Sequence, residues 1–490
     1  MFIGIDLGTS AAKTVLVDER QHVVASATAP LRPRTPQLGW SEDDPQCWWD
    51  AVDASMRSLR ADHLGLLQSV RAIGLSGQMH ACLLLDAEDR PVRPAILWND
   101  GRSAAEAARL RKDVPVLADR LGVAAAAGFT GPKIAWLRTH EPAVLDRVAT
   151  LLLAKDALRL RMTGERATDR SDAAGTWLLD QAARRWSADA IAACGVDPGW
   201  LPPLLEADQV SGRLRPAIAE QWGLRPGLPV ACGGGDTAAG GIGIGAIEAG
   251  DGFISLGTSA QVFLADDQFT PAPGGFVHAF CHAAPERWYS MAALLNGASP
   301  LAAAVSWVGA NDIAAMLDRV EASYAGPGAL LALPYLAGER TPHDDPHARG
   351  CLLGLTAGTT PADIVLAVLE GVAFSLADGV EALAATRRVP AQLAIIGGGA
   401  RSSFWASLIA SVLGISLLRY RDAQHGPAFG AARLARLAVT GEDLAAVATK
   451  PAVDRVFEPD ARVTAAYAPR LEAFRSLYRA LAPEFKRGAP

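Results

Sequence analysis

The chain has 490 residues, more than a single hydrophobic core usually serves, so two or three domains are expected. Half of its residues are apolar and 20% are charged, which excludes disorder as the main state. Lys and Arg number 46 against 52 Asp and Glu, a net charge of −6, and this mild acidity argues against a nucleic-acid binder, which needs clustered positive charge.

The first element is a short apolar strand that closes on Leu7-Gly8-Thr9-Ser10-Ala11, with Asp6 just before the turn. A second strand follows at Lys13–Val17, then a turn at Asp18–Arg20 and a strand at His22–Ala27. Asp6 breaks the N-terminal apolar stretch, and no apolar run nears the ~20 residues that span a bilayer. A cytoplasmic protein with neither signal peptide nor membrane span is expected. Asp43-Asp44-Pro45 marks a helix start, with Asp as N-cap and Pro at the first helical position, and Trp48, Val52 and Met56 lie on one face. Val70–Leu75 reads as a strand leading into Ser76-Gly77, and Leu228–Ala231 as one leading into Gly233-Gly234-Gly235-Asp236. The opening then repeats: Gly252–Leu256 is an apolar run closing on Leu256-Gly257-Thr258-Ser259-Ala260, followed by a strand at Gln261–Leu264 and a turn at Ala265-Asp266-Asp267. Pro361–Ala382 has helical periodicity, and Leu393–Ile396 is a strand running into Gly397-Gly398-Gly399. Two related α/β halves around a central cleft follow, residues 1–245 and 246–490, each opening with a β-hairpin. The six cysteines are scattered without a Cys-x-x-Cys pair and read as reduced thiols. A Walker-type phosphate loop is excluded by the lack of any Gly-Lys dipeptide, and no His-Glu-x-x-His or paired-Cys zinc spacing is present.

A turn of Gly, Thr and Ser between strands presents backbone N–H groups and hydroxyls together, the donors that phosphate oxygens need. It is also an ordinary tight hairpin. Two copies at corresponding places favour phosphate binding by Gly8, Thr9 and Ser10 and by Gly257, Thr258 and Ser259. Asp6 suits Mg²⁺ held through water, or is a turn residue, and Ser255 stands at the comparable place in the second copy. Lys13 is a further phosphate contact or a solvated strand lysine. Asp236, behind a glycine run and before small residues, is an N-cap, a general base, or both, because a helix start favours the ionised carboxylate. Gly398, Gly399, Ala400 and Arg401 form a base-and-ribose cradle or a plain strand–helix turn.

These features resemble the FGGY family of carbohydrate kinases, within the actin/hexokinase-like superfamily. Besides the first phosphate loop, Gly128-Phe129-Thr130-Gly131-Pro132-Lys133-Ile134-Ala135-Trp136-Leu137 is similar to one family signature. Gly350–Leu355 with Asp363-Ile364 and Ala367–Glu370 is similar to the other. Gly77–His80, Trp98–Arg102, Lys155-Asp156 and Gly338–His343 resemble the xylulokinase group of that family. The resemblance implies two duplicated ribonuclease H-like domains around a cleft. Sugar binding, the first phosphate loop and the catalytic Asp belong to the first domain, the second loop and adenosine to the other. It implies transfer of the γ-phosphoryl of ATP, as its Mg²⁺ complex, to D-xylulose, with a homodimer suggested. Asp236 would accept the hydroxyl proton, and Asp6, with Asp236 as a second carboxylate, would hold the cation. Met79, His80, Thr237 and Trp98 would line the sugar site. Glycerol kinases carry Arg-Glu in place of Met79-His80, which disfavours glycerol. Xylulokinases commonly carry Asn where this chain has Thr237, which keeps another ketose or a polyol open as acceptor. A different class, an actin-like ATPase scaffold without a small acceptor, would need neither Asp236 nor Met79-His80.

Overall fold

The computed structural model describes residues 1–421 and 425–487. The first half is built on β1 (Phe2–Leu7), β2 (Ala11–Val17), β3 (Val23–Pro30), α1 (Pro45–Leu67), β4 (Ala72–Gly77), β5 (Val210–Arg213), β6 (Pro229–Ala231) and α2 (Asp236–Ile244). The second is built on β7 (Gly252–Leu256), β8 (Ala260–Asp266), β9 (Val277–Cys281), β10 (Trp288–Leu294), α3 (Pro361–Ala384), β11 (Gln392–Ile396), β12 (Ser416–Tyr420), α4 (Gly426–Thr440) and β13 (Val453–Phe457). The first sheet runs β5-β6-β4-β1-β2-β3 and the second β9-β10-β8-β7-β11-β12-β13. Each contains the same unit. In the first, β1 pairs parallel with β4 and antiparallel with β2, which pairs antiparallel with β3. In the second, β7 pairs parallel with β11 and antiparallel with β8, which pairs antiparallel with β10. The actin/hexokinase-like duplication is therefore present in strand pairing as well as in sequence.

Strand periodicity decides what each face buries. Ile3, Ile5 and Leu7 enter one core with Trp48, Val52 and Met56 of α1. The Asp44 side chain caps α1 by accepting from the Gln46 N–H at 2.9 Å, with Pro45 in the first turn. Phe2 faces the other way, against Ala428, Ala432 and Ala435 of α4. In the second sheet Ile254 and Leu256 enter a core with α3, while Phe253 packs with Ala238 and Ile242 of α2. The halves thus exchange helices: α4 covers the first sheet and α2 lies toward the second. Glycine permits this. A Cβ on Gly4 would stand 1.8 Å from the Ala428 carbonyl oxygen, and one on Gly430 1.8 Å from that of Ala239.

Three local expectations are corrected. The strand read as ending at Leu75 continues through Gly77, because Ser76 and Gly77 pair with Asp6 and Leu7 on one side and Gly234 and Gly235 on the other. Ala265 and Asp266 are strand rather than turn, held by pairing with Tyr289 and Trp288. Asp236 is the first residue of α2 and Gly235 its N-cap, so Asp236 is no capping residue.

Candidate active site

The first turn is anchored from within. The Gly8 N–H donates to the Ala11 carbonyl at 3.0 Å, and the Thr9 hydroxyl donates to Gln78 Oε1 at 3.1 Å. The Trp98 indole N–H in turn donates to Thr9 Oγ1 at 2.8 Å. Trp98 therefore positions this turn, and the one proton of the Thr9 hydroxyl is engaged. Gln78 Nε2 is buried beside this turn without an acceptor among the described residues.

Asp6 lies at the end of β1, opposite Lys13 on β2 and beside Ser76 on β4. Its Oδ1 is buried and accepts no hydrogen bond among the described residues. Burial first, then the nearby Asp236 carboxylate, pushes its pKa up to about 7, against the pull of Ser76 and Lys13. Lys13 is itself lowered, by burial, with Asp6 opposing. Among the described residues no group of three His, Cys, Asp or Glu could hold a metal. Asp6 and Asp236 therefore fit a cation that brings phosphate and water ligands of its own, as Mg²⁺ does.

Asp236 lies within charge range of Asp6, at the end of a glycine run that packs closely on its neighbours. A Cβ on Gly233, whose φ is +76°, would stand 1.9 Å from the Leu75 carbonyl oxygen, and one on Gly235 would stand 2.9 Å from Met79 Sδ. Burial raises the Asp236 carboxyl to about 6, while the Thr237 N–H, donating to Oδ1 at 2.7 Å, and the Thr237 hydroxyl oppose that rise. The Thr237 hydroxyl stands 3.2 Å from Gln261 Oε1 in the second half, so its hydrogen bonding is internal to the protein. Beneath the loop, Lys155 is fully buried and meets Asp156 at 2.7 Å, Asp169 at 2.8 Å and Asp172 at 3.1 Å. Asp169 accepts from Ser171, whose hydroxyl accepts from the Gly235 N–H at 3.1 Å. The Lys155-Asp156 motif thus supports the loop before Asp236 from below.

Met79 is buried, with the Tyr289 hydroxyl 3.9 Å from its sulfur. His80 holds a positive φ of 69°, a strained state for this side chain. Its carbonyl accepts from Lys133 Nζ at 2.8 Å and from the Thr130 hydroxyl at 3.1 Å, and its ring stacks edge-on against Phe129. The Gly128–Leu137 signature thus fixes His80. His80 Nδ1 lies 2.6 Å from the Gly175 carbonyl oxygen, which can only accept, so Nδ1 carries the proton. Burial depresses the imidazole to about 3, so it is neutral and Nε2 is an acceptor.

The second turn is held differently. The Thr258 and Gly257 carbonyls accept from Gly297 at 3.0 Å and Ala298 at 2.7 Å, and Ser299 Oγ donates to the Thr258 carbonyl at 2.9 Å. With carbonyls turned into the protein, Ser259 sits on a fixed hairpin. Gly397, with φ +94°, wraps the end of β7: a Cβ there would stand 2.7 Å from the Leu256 backbone. Gly398 has nothing within 4 Å of its Cβ position, and Gly399 and Ala400 are buried beside Leu256 and Trp405. Arg401 is exposed. The glycine turn therefore offers an open backbone face next to the second hairpin. Gln78, Lys133, Gly175, Gln261 and Arg340 had no functional role assigned from the sequence; Gln78, Lys133 and Arg340 lay in recognised motifs, which was the available signal.

Two sheets that share one pairing unit, a hairpin turn on each and a pair of acids beside the first turn define an actin/hexokinase-like protein. The family model described as the FGGY family of carbohydrate kinases, N-terminal domain, matches residues 1–243, and the C-terminal domain model matches 252–439. The chain belongs to the FGGY family of carbohydrate kinases. It is 43% identical over 484 residues to the xylulose kinase of Escherichia coli strain K12 and equally to that of Klebsiella pneumoniae, covering 99% of each chain in both comparisons. A crystal structure of a "xyloylose kinase" from Brucella ovis superposes with a TM-score of 0.93 at 41% identity, over 98% of this chain and 99% of that one. Among the described residues no helix is long and apolar enough to cross a membrane.

Proposed function

We propose that this chain transfers the γ-phosphoryl group of MgATP to the terminal hydroxyl of D-xylulose, giving D-xylulose 5-phosphate, with Asp236 accepting the hydroxyl proton. The observation that carries the reading is the placement of Asp236 at the start of α2, directly after Gly235, which packs against Met79, and within charge range of Asp6. Kinship with xylulose kinases of two organisms at 43% identity favours the sugar. Asp236 orients the hydroxyl and takes its proton, a contribution of about 10²–10⁴-fold. Alignment and charge neutralisation do most of the rest. Asp6, whose Oδ1 has no hydrogen-bond partner among the described residues, and Asp236 are the carboxylates suited to hold Mg²⁺, which would neutralise phosphate charge when bound with the nucleotide. Gly8, Thr9, Ser10 and Lys13 would contact phosphates from one side and Gly257, Thr258 and Ser259 from the other, with Gly398–Arg401 under the adenosine. His80 Nε2 would accept from a sugar hydroxyl, against the wall formed by Met79 and Trp98, and Thr237 would act through Asp236. The proposal includes a division at residues 245 and 246, a cytoplasmic enzyme, and a homodimer that light scattering would report as twice the chain mass.

A panel of D-xylulose, L-xylulose, ribulose, pentitols and glycerol, with MgATP and coupled ADP detection, tests the reading. D-xylulose is expected to give the highest kcat/KM and to raise ATP turnover well above the sugar-free rate, as closure around both substrates requires. A higher kcat/KM for any other acceptor overturns the sugar assignment. Equal turnover with and without sugar overturns closure.

A further inference from the structure

The segment Gly338–His343 belongs to the second half, yet its Arg340 points at the first. The Arg340 guanidinium comes within 3.5 Å of where a Cβ on Gly128 would stand, and the same Cβ would lie 2.4 Å from the Trp98 carbonyl oxygen. Glycine at 128 therefore clears room for Trp98 and Arg340 together. Arg340 is only partly exposed, and among the described residues its guanidinium makes no hydrogen bond and no ion pair. A guanidinium has five donors in a rigid fork, and leaving them unused near a protein interior is costly unless a ligand takes them.

The surroundings say what kind of ligand. Arg340 acts by charge on His80, Lys133 and His278, and not on Asp236. Gly128, beside Arg340, leads into Phe129, whose ring packs on His80, so Arg340 sits at the His80 end of the proposed sugar site. His278, on β9, packs against Phe129 and Phe280, with its Nδ1 buried and without a hydrogen-bond partner among the described residues. Glu339 and Asp344 lie within charge range of Arg340, which offsets its positive field and suits neutral oxygens better than a carboxylate.

The backbone at Arg340 is fixed. Glu339 accepts from the Arg340 N–H at 2.8 Å, the Leu295 N–H at 2.7 Å and Asn296 Nδ2 at 3.1 Å. Asn296 Nδ2 also donates to the Gly338 carbonyl at 2.7 Å. Gly297, the next residue, donates to Thr258 of the second phosphate turn. Across the cleft, Asp344 meets Arg111 of the first half at 3.3 Å.

We infer that Arg340 is an acceptor-binding residue, its fork donating to carbonyl or hydroxyl oxygens of a neutral ketose at the end remote from Asp236. Glu339 is its positioning residue, and through Asn296 and Gly297 the same framework carries the second phosphate turn. The second half thereby touches both the nucleotide and the sugar.

The inference rests on the proposed sugar-kinase reading, and the experiment separates the two. Wild type, Arg340→Met and Arg340→Lys are assayed with whichever neutral acceptor the wild type turns over fastest. A wild type that phosphorylates no sugar overturns the kinase reading and this inference with it. Given an active wild type, Arg340→Met is expected to raise the acceptor KM about 10–100-fold, the loss of hydrogen bonds to a charged donor, with the ATP KM within twofold. Arg340→Lys, which keeps charge without the fork, should fall between. An acceptor KM unchanged in Arg340→Met overturns the inference, as does an equal rise in both KM values, which would mark a structural residue. Should Arg340→Met fail to fold, as judged by its Tm, Arg340→Lys decides: an acceptor KM equal to wild type overturns, and a rise with ATP KM unmoved supports.

Discussion

The turns at Gly8–Ser10 and Gly257–Ser259 carry the same residues between equivalent strands, yet they are built for different work. In the first hairpin Leu7 pairs with Ala12, in the second Leu256 pairs with Ala260, so the second loop is one residue shorter. The first stands behind an acid, Asp6, with a cation, Lys13, across from it; the second has Ser255 across from Gln261. The contrast extends to the exchanged helices, since α2 begins with Asp236 and α4 with Gly426 and Pro427. Duplication supplied two backbone cradles, and the acids stand in one of them. Burial raises both carboxylates, and at Asp6 the nearby Asp236 charge adds to the rise, a cost that a bound cation would offset.

The largest break of this asymmetry should come from Asp236→Ala. Turnover is expected to fall at least about 10²–10⁴-fold, with MgATP affinity nearly unchanged by calorimetry. In the wild type, Asp236 must be ionised to accept a proton, and its raised pKa of about 6 places the loss of kcat/KM on the acid side, as pH falls through that value. A pH profile flat down to 5 would remove Asp236 as the base.

Asp6→Asn comes next, with kcat reduced about 10–10²-fold and a higher Mg²⁺ requirement. Stability should move the other way. The folded pKa of about 7 lies above the ordinary 3.8, so the fold binds the proton more tightly than the unfolded chain. The ionised carboxylate therefore costs stability as pH rises from about 4 toward 7. At pH 8 and without nucleotide, Asp6→Asn should be more stable by about 1–3 kcal/mol, and the gain should vanish at pH 4. A lower Tm at pH 8 would show that Asp6 is structural. For the second turn, Gly297→Ala places a Cβ 2.3 Å from the Ser259 carbonyl oxygen. Its expected effect is about a tenfold rise in the ATP KM with the acceptor KM unchanged.

Much of this was legible in the chain itself. The repeated Leu-Gly-Thr-Ser-Ala, the Asp44-Pro45 helix start and the glycines before Asp236 are local signals whose physics is local. The helix exchange was not legible, because α4 packs through alanines and glycines that read as an ordinary helix, and only the Gly4 and Gly430 contacts reveal the close approach. The His80 tautomer depends on Gly175, 95 residues away. The 3.2 Å approach of the Thr237 hydroxyl to Gln261 Oε1 joins residues of the two halves, which their spacing in the chain does not announce. Arg340 sat in a recognised motif without a role, since sequence spacing does not say that residues 128 and 340 meet.

The smallest effect is the sharpest test of the asymmetry. Ser255 occupies the place of Asp6 in the repeated unit, on a strand in register with Gln261. If the second turn acts through backbone donors alone, removing the Ser255 hydroxyl costs little, and Ser255→Ala should change kcat and both KM values by no more than about twofold. Asp6→Ser makes the first turn resemble the second at this position and should lose as much turnover as Asp6→Asn, because the carboxylate rather than the shape of the turn is what differs. Steady-state kinetics on the three variants decide it. A loss of tenfold or more in Ser255→Ala would mean that the second half contributes a side-chain ligand of its own, and the division into a charged cradle and a backbone cradle would fail.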